Sequence, residues 1–466
     1  MTSFVCRRTT NAVAAGTVPG ARSPGLMVPF LICAPVTAPD LIFSAVTAFS
    51  RNCVVPTLKG GRTTFLTASP TPVNPSAATA RAASARPRER ESRIVVREYV
   101  IGSRSPAGRT RIRAPHTEQR RMHAHIEAPA PVTAAELSGY ALEVGLDVIG
   151  AAPASAYVET EQHIRARHGQ GLFADMKFTM ARPEVSCHPE LLLDGAARTV
   201  VSAALCYFVD GPDPGQDEGR LPRYAWRDHY AILRERLDDL GQRLGGSYCV
   251  LVDANQHVDR EGARRAGLGF YGKNTMLITR EHGSWVVLGT LVTDVEIEPS
   301  APLDLDCGRC TLCIDACPTG ALDEPGVLDA NRCLSYWTQA PAPVPEAYRE
   351  ELGASVYGCD ICQDVCPWNR GVEKRRAGLP LPEGAVPNVS LLEWLGRDGA
   401  DLVADLDRLY VPRNDPRWLQ RNALHALGNT GNAESLTDLG RWLGSDDPIL
   451  ADAAAWAETR ITGRTS

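Results

Sequence analysis

The run Cys307-Gly-Arg-Cys310-Thr-Leu-Cys313-Ile-Asp-Ala-Cys317-Pro318 constrains this chain more than any other feature. Its C-x2-C-x2-C-x3-C-P spacing is that of bacterial two-cluster ferredoxins, where three thiolates on one tight loop bind one cubane and the fourth ligates the other. The proline ends the loop and removes a competing N–H donor. A second run, Cys359-Asp-Ile-Cys362-Gln-Asp-Val-Cys366-Pro367, is one cysteine short, and Cys333 lies alone between the two. Eight cysteines therefore make two sets of four. By the crossing rule, one [4Fe–4S] cluster takes Cys307, Cys310, Cys313 and Cys366, and the other takes Cys317, Cys333, Cys359 and Cys362. Zinc is the alternative for C-x2-C pairs, but zinc sites do not need this spacing with CP at both ends. Paired clusters imply one-electron steps from a donor to an internal acceptor.

Eight of the 14 cysteines lie in that stretch, late in a chain of 466 residues, and the other six are scattered. This is not the framework of a short secreted domain, and it points to metal binding in a reducing compartment. The length suggests two to four domains. No apolar run reaches the roughly 18 residues a spanning helix needs. Charge is uneven. Residues 1–121 carry 18 Lys+Arg and 5 Asp+Glu, a net of +13, which leaves 31 and 50, a net of −19, for the rest. An acidic body excludes indiscriminate nucleic-acid binding, so any such surface must be a local patch.

Residues 1–121 are rich in Ala, Arg, Thr, Pro and Ser and lack sustained periodicity. They are expected to be a disordered extension, either an Arg-rich transit segment or the product of a start assigned ahead of Met122. The ordered body begins near Pro131. Thr133-Ala-Ala-Glu136 is a capping box opening a helix to about Val144. Strands are expected at Leu146–Ala151, Thr199–Phe208, Ser247–Asp253 and Ser284–Asp294, and helices at His163–His168 and Tyr230–Leu244, the latter stopped by Gly245-Gly246. This is an α+β pattern. After residue 371, Leu391–Leu395 and Leu402–Tyr410 read as helical. Two Ala-rich segments, Asn422–Gly428 and Asp452–Glu458, are offset by 30 residues, as in a pair of HEAT-like repeats. Gly267-Leu-Gly269-Phe-Tyr-Gly272 has dinucleotide-motif spacing but follows helix-like residues, so it reads as a turn. Lys273 beyond it could meet an anion or be a solvated surface lysine.

Val252-Asp253, Arg264–Gly269, Gly272-Lys-Asn274, Gly283-Ser284, the Cys307–Leu322 run, Arg332–Ser335 and Tyr357–Asp360 together resemble the epoxyqueuosine reductase family over about residues 131–460. The resemblance implies a mixed α/β cobalamin-binding catalytic domain over 122–300 and a ferredoxin-like domain with two [4Fe–4S] clusters over 301–372. It implies a HEAT-like, tRNA-binding helical domain over 373–466. The implied reaction is the last step of queuosine formation, in which the epoxide of epoxyqueuosine in tRNA is reduced to an alkene. The implied partners are a tRNA anticodon stem-loop and an external low-potential electron donor, with no membrane, for a cytoplasmic monomer. Asp253 sits where the family has its proton donor. A carboxyl at a strand end beside an apolar cofactor could hold its proton. Asp259 is the nearby rival, read as a structural ion pair with Arg260. Arg182, Arg223, Lys273, Leu277, Leu288 and Ser335 fall in segments that line the cobalamin pocket of such proteins. Ala254 departs from the small hydroxyl residue common after the Asp. Lys374-Arg375-Arg376, with Arg413, Arg417 and Arg421, are the candidate phosphate contacts. The alternatives are a corrinoid-dependent reductive dehalogenase-like enzyme and a non-catalytic iron–sulfur electron-transfer module.

Overall fold

The computed structural model describes residues 5–8 and 131–465. Nine strands are present among them: β1 Val5–Arg8, β2 Val148–Pro153, β3 Thr199–Cys206, β4 Glu218–Arg220, β5 Ser247–Val252, β6 Gly269–Tyr271, β7 Leu277–Thr279, β8 Val286–Thr293 and β9 Asn388–Ser390. The main sheet has the order β1-β5-β8-β3-β2, antiparallel at every pairing. Of the N-terminal extension expected to be without order, β1 pairs with β5; the rest of that extension lies outside the described residues.

Both faces of the sheet are covered, so β3 reads Thr-Val-Val-Ser-Ala-Ala-Leu-Cys and is buried at all eight positions. Helices α1 Ala134–Val144 and α4 His229–Leu244 pack one face through Leu137, Ala141, Leu233, Leu237 and Leu240. Gly289 on β8 leaves room there, since a Cβ would come within 2.7 Å of Leu237. The capping box of α1 forms in both directions, Thr133 and Glu136 each satisfying the other's backbone N–H. Beyond it, α2 spans Val158–Gly169 and α3 Pro183–Ser186. The other face carries α5 Asp259–Arg265; a Cβ on Gly150 of β2 would lie 2.0 Å from the Ala266 carbonyl just after it. The Gly267–Gly272 stretch, expected to be a turn, turns only at Gly267: its Gly269–Tyr271 form β6, which pairs with β7. Gly267 is at φ +74°, and the Ala301 carbonyl would sit 2.3 Å from a Cβ there.

The cysteine runs occupy two short helices that pack together, α6 Leu312–Asp315 and α9 Ile361–Asp364. Between them lie α7 Leu334–Gln339 and α8 Glu346–Arg349, and after them α10 Arg370–Arg376, which runs across residue 372. A helical layer follows: α11 Leu391–Gly396, α12 Gly399–Asp405, α13 Arg417–Thr430, α14 Leu436–Leu443 and α15 Pro448–Thr465. The helix expected over Leu402–Tyr410 ends earlier, at Asp405. The two Ala-rich segments lie on α13 and α15 and face each other. Small residues let the backbones close, and a Cβ on Gly428 would meet Trp456 at 2.6 Å. This layer shares its core with the α/β body: Leu221, Ala225 and Trp226 pack among Leu391, Trp394, Trp418 and Leu424. β4 pairs with β9 at the same seam.

Candidate active site

Asp253 follows the last residue of β5 and turns the chain with φ +50°, in the left-handed region that a non-glycine residue rarely occupies. Its carboxylate reaches solvent yet is closely surrounded. Burial raises its pKa, against the pull of the Arg234 guanidinium from α4. Tyr230, at the start of α4, and Tyr357, two residues ahead of Cys359, are its neighbours. Burial first, and then the charge of Asp253, holds the Tyr230 and Tyr357 phenols protonated. Asp253 therefore holds its proton more tightly than an ordinary carboxyl, beside Tyr230 and Tyr357, the latter leading into the second cysteine run.

Asp259 is not the ion-paired residue expected. Arg260 turns its guanidinium toward the Met276 sulfur at 3.8 Å, and Asp259 Oδ1 is buried without a hydrogen-bond partner. Burial, and then the charge of Asp253, pushes its pKa well above the usual carboxylate range, with Arg260 opposing. A buried carboxyl beside another carboxylate takes up a proton when no cation closes on it.

The eight clustered cysteines separate into two sets by their mutual charges. The Cys313 thiol feels Cys307, Cys366 and Cys310; Cys366 feels Cys307 and Cys310. Cys333 feels Cys317, and Cys359 feels Cys333 and Cys317, while Cys362 feels Cys359 and Cys333. Cys366 thus lies near Cys307 and Cys310, although it is far from them in sequence. Cys362 also feels Cys313, so the two sets adjoin.

Two of the six cofactor candidates, Arg223 and Ser335, lie at the second set, and a third, Lys273, at the first cysteine loop. Arg223 donates to Asp364 Oδ1 at 2.8 Å, sits 3.7 Å from Asp360 Oδ2, and stacks on Phe208 and Trp285. Lys273 Nζ donates to the Gly308 carbonyl of the first cysteine loop at 2.8 Å. Ser335 lies on α7, two residues after Cys333. Leu277 is buried in β7 and Leu288 half-buried in β8, both in the main core. Arg182 is exposed at the head of α3. A pocket lined by Arg220, Arg223, Tyr357, Asp360 and Asp364 opens beside the second set and does not include Asp253.

The basic residues expected at phosphates mostly do other work. Arg421 is buried and donates to the carbonyls of Trp337, Ala340 and Ala342, tying α13 to the cluster region. Arg417 is paired with Asp415 and Asp447. Arg375 and Arg376 donate to the carbonyls of Glu281, Cys206 and Phe208. Lys374 and Arg413 remain exposed.

Sequence reasoning missed the network that fixes the second cysteine run on the α/β body. Gln363 donates to Tyr207 Oη at 3.0 Å and to the Ser284 carbonyl at 2.8 Å. Asn369 donates to the Gln363 carbonyl at 2.8 Å and accepts from Ser284 N–H at 2.7 Å. All four residues are buried, and such networks are costly unless complete. The only sequence signal was Gly283-Ser284 and the polar residues spaced around Cys366.

Residues 306–369 match the family described as the 4Fe-4S double cluster binding domain. An epoxyqueuosine reductase of Bacillus anthracis is 34% identical over 340 residues, 70% of this chain and 89% of that protein. The chain belongs to the epoxyqueuosine reductase family. It is an oxidoreductase with a double iron–sulfur domain. Two solved epoxyqueuosine reductases match it at 32% identity. One, bound to an epoxyqueuosine-modified tRNA-Tyr stem loop, gives a TM-score of 0.61 over 70% of this chain and 89% of its own. The other, from Bacillus subtilis, gives 0.64 over 70% and 90%, and has an aspartate-bearing catalytic loop swung out of its active site.

Proposed function

We propose that this epoxyqueuosine reductase uses Asp253 to protonate the epoxide oxygen of epoxyqueuosine in a tRNA anticodon loop, leaving queuosine and water. The reaction takes up two electrons and two protons and replaces two C–O bonds with a C=C bond. An epoxide oxygen leaves poorly as an alkoxide, so a carboxyl that holds its proton more tightly than usual lowers the barrier by donating it. The single observation that carries this reading is the position of Asp253. It ends β5 with a raised pKa, against a tyrosine wall continuous with the second thiolate set.

Electrons enter from an external low-potential donor through the two clusters. Cobalamin, when bound, would pass them on to the substrate carbon. Arg182, Arg223, Lys273, Leu277, Leu288 and Ser335 are the residues proposed to hold it. The fit is supported by the buried, unpartnered Arg223 Nε and Asp360 Oδ1 at the second cysteine run. The proposed division is a catalytic cobalamin-binding body over 122–300, a ferredoxin-like unit over 301–372 and a HEAT-like tRNA-binding layer over 373–466, in a cytoplasmic monomer. Among the described residues no helix is long and apolar enough to cross a membrane.

The test is single-turnover conversion of an epoxyqueuosine stem-loop by anaerobically prepared, reduced protein, with the nucleoside identified by mass. Queuosine formed by protein that copurifies with a corrinoid is the expected result. Both clusters present with no corrinoid and no conversion would favour the electron-transfer module.

A further inference from the structure

Two large aromatic side chains stand exposed beside each other at a point the reaction itself does not explain. Phe178 and Tyr410 are 40% and 53% exposed, and their rings meet edge to face with centroids 5.5 Å apart. They are 232 positions apart in sequence, so the fold builds this pair on purpose-set loops from the catalytic body and the helical layer. Both loops are held in backbone conformations that non-glycine residues avoid. Phe178 is at φ +24°, and Arg413 and Asn414, just after Tyr410, are at +58° and +52°. Such outliers persist only where their surroundings impose them, and they cluster at functional sites.

The pair also adjoins the proposed catalytic acid. The Tyr357 hydroxyl accepts from the Tyr410 backbone N–H at 2.9 Å and lies 3.2 Å from its carbonyl. Tyr357 in turn sits within the field of Asp253. Exposed Lys177, Arg182 and Arg413 flank the two aromatics in sequence. Exposed aromatic faces ringed by cations are how proteins hold unstacked bases of single-stranded RNA.

We propose that Phe178 and Tyr410 form a stacking platform for a nucleobase next to the modified wobble nucleotide, holding the anticodon loop open while the wobble sugar ring enters toward Asp253. This rests on the tRNA reading above and adds the residues that would splay the loop. An aromatic platform gives affinity with little sequence preference, because every base has a π-face.

The experiment measures single-turnover conversion against concentration of an epoxyqueuosine stem-loop, for wild type, Phe178→Leu, Tyr410→Leu and Tyr410→Phe. Leucine keeps apolar bulk and loses the ring face. Each protein is also given stem-loops made abasic at one neighbour of the wobble position. Each leucine variant should raise the half-saturating RNA concentration about 30-fold, the middle of what one stacked base contributes. The saturating rate and iron content should stay at wild-type values, and Tyr410→Phe should behave as wild type. One abasic position should weaken wild type by the same factor and add nothing to the leucine variants. Wild-type affinity in both leucine variants would overturn the platform, and so would additive losses at every abasic position. A leucine variant that melts early or loses iron without that matching abasic effect would make the pair a domain contact, which also overturns it. If wild type converts no intact stem-loop, the functional reading fails first, and the platform with it.

Discussion

The cysteine loops and the Asp253 pocket do their work in the same molecule but are encoded in opposite ways. The first loop is almost complete within a dozen residues: a turn, a one-turn helix and a CP stop place three thiolates of one set together, and the second run places two of the other. Only Cys366, Cys317 and Cys333 need the fold to bring them home. The pocket has no such local grammar. Asp253 follows one strand, Tyr230 starts a helix, Tyr357 belongs to the cluster region, and Arg234 reaches from α4 to the Val252 carbonyl. The difference teaches where charge is controlled. The thiolates are designed to be neutralised by metal, whereas Asp253 is tuned by burial and by a single cation.

The comparison breaks most visibly if the crossing of the two runs is wrong. Cys366→Ala should abolish the cluster shared with Cys307, Cys310 and Cys313 and leave about half the iron. Iron analysis combined with electron paramagnetic resonance of the single-cluster protein checks this. Loss of the Cys359–Cys362 cluster instead would overturn the assignment.

The next effect concerns how the loops are held. Arg421→Met removes a buried guanidinium from the Trp337, Ala340 and Ala342 carbonyls. It should destabilise the chain by about 2–4 kcal/mol, since those carbonyls lose their partner in a dry site. Denaturant unfolding of the cluster-loaded protein reads it, with RNA affinity at low salt unchanged. A variant of wild-type stability that binds RNA poorly would restore Arg421 as a phosphate contact.

A smaller effect separates the pocket from its supporting face. His257 is fully buried, neither ring nitrogen has a partner, and burial pushes its pKa down to about 4. The unfolded chain binds a proton at this residue below about pH 6.5, while the fold refuses it until about pH 4. Stability therefore falls as pH drops through that window, by up to ~3 kcal/mol from this residue. His257→Leu should match or exceed wild-type stability at pH 7 and flatten the acid limb. A limb as steep as wild type's would mean that His257 has a partner.

These cases show what the sequence could carry. The spacing rule reached the double iron–sulfur domain because loop geometry is local, and the periodicities of α1, α4 and the core strands were clear because burial enforces them. Helix α5 and the Asp259–Arg260 pair were harder. Adjacent opposite charges look paired in sequence, yet at the head of α5 the backbone directs Arg260 away toward Met276. The basic residues misled for a related reason. A short-range count of charge cannot tell an arginine facing solvent from one capping carbonyls of a distant loop, as Arg376 and Arg421 do. The Gln363–Asn369–Ser284–Tyr207 network was invisible because neutral polar residues acquire meaning only when buried together.

The most direct test of the account is single-turnover reduction of epoxyqueuosine in a stem-loop by Asp253→Asn, with Asp259→Asn beside it. Asparagine keeps the shape and hydrogen-bonding capacity of Asp253 but cannot act as a carboxylic acid. The account predicts a rate about 10²–10⁴-fold below wild type for Asp253→Asn, with iron content and RNA affinity retained. Asp259 already favours its neutral form, so Asp259→Asn should stay close to wild type in both stability and rate. A near wild-type rate in Asp253→Asn, with Asp259→Asn folded and inactive, would contradict the account and move the proton donor to the head of α5.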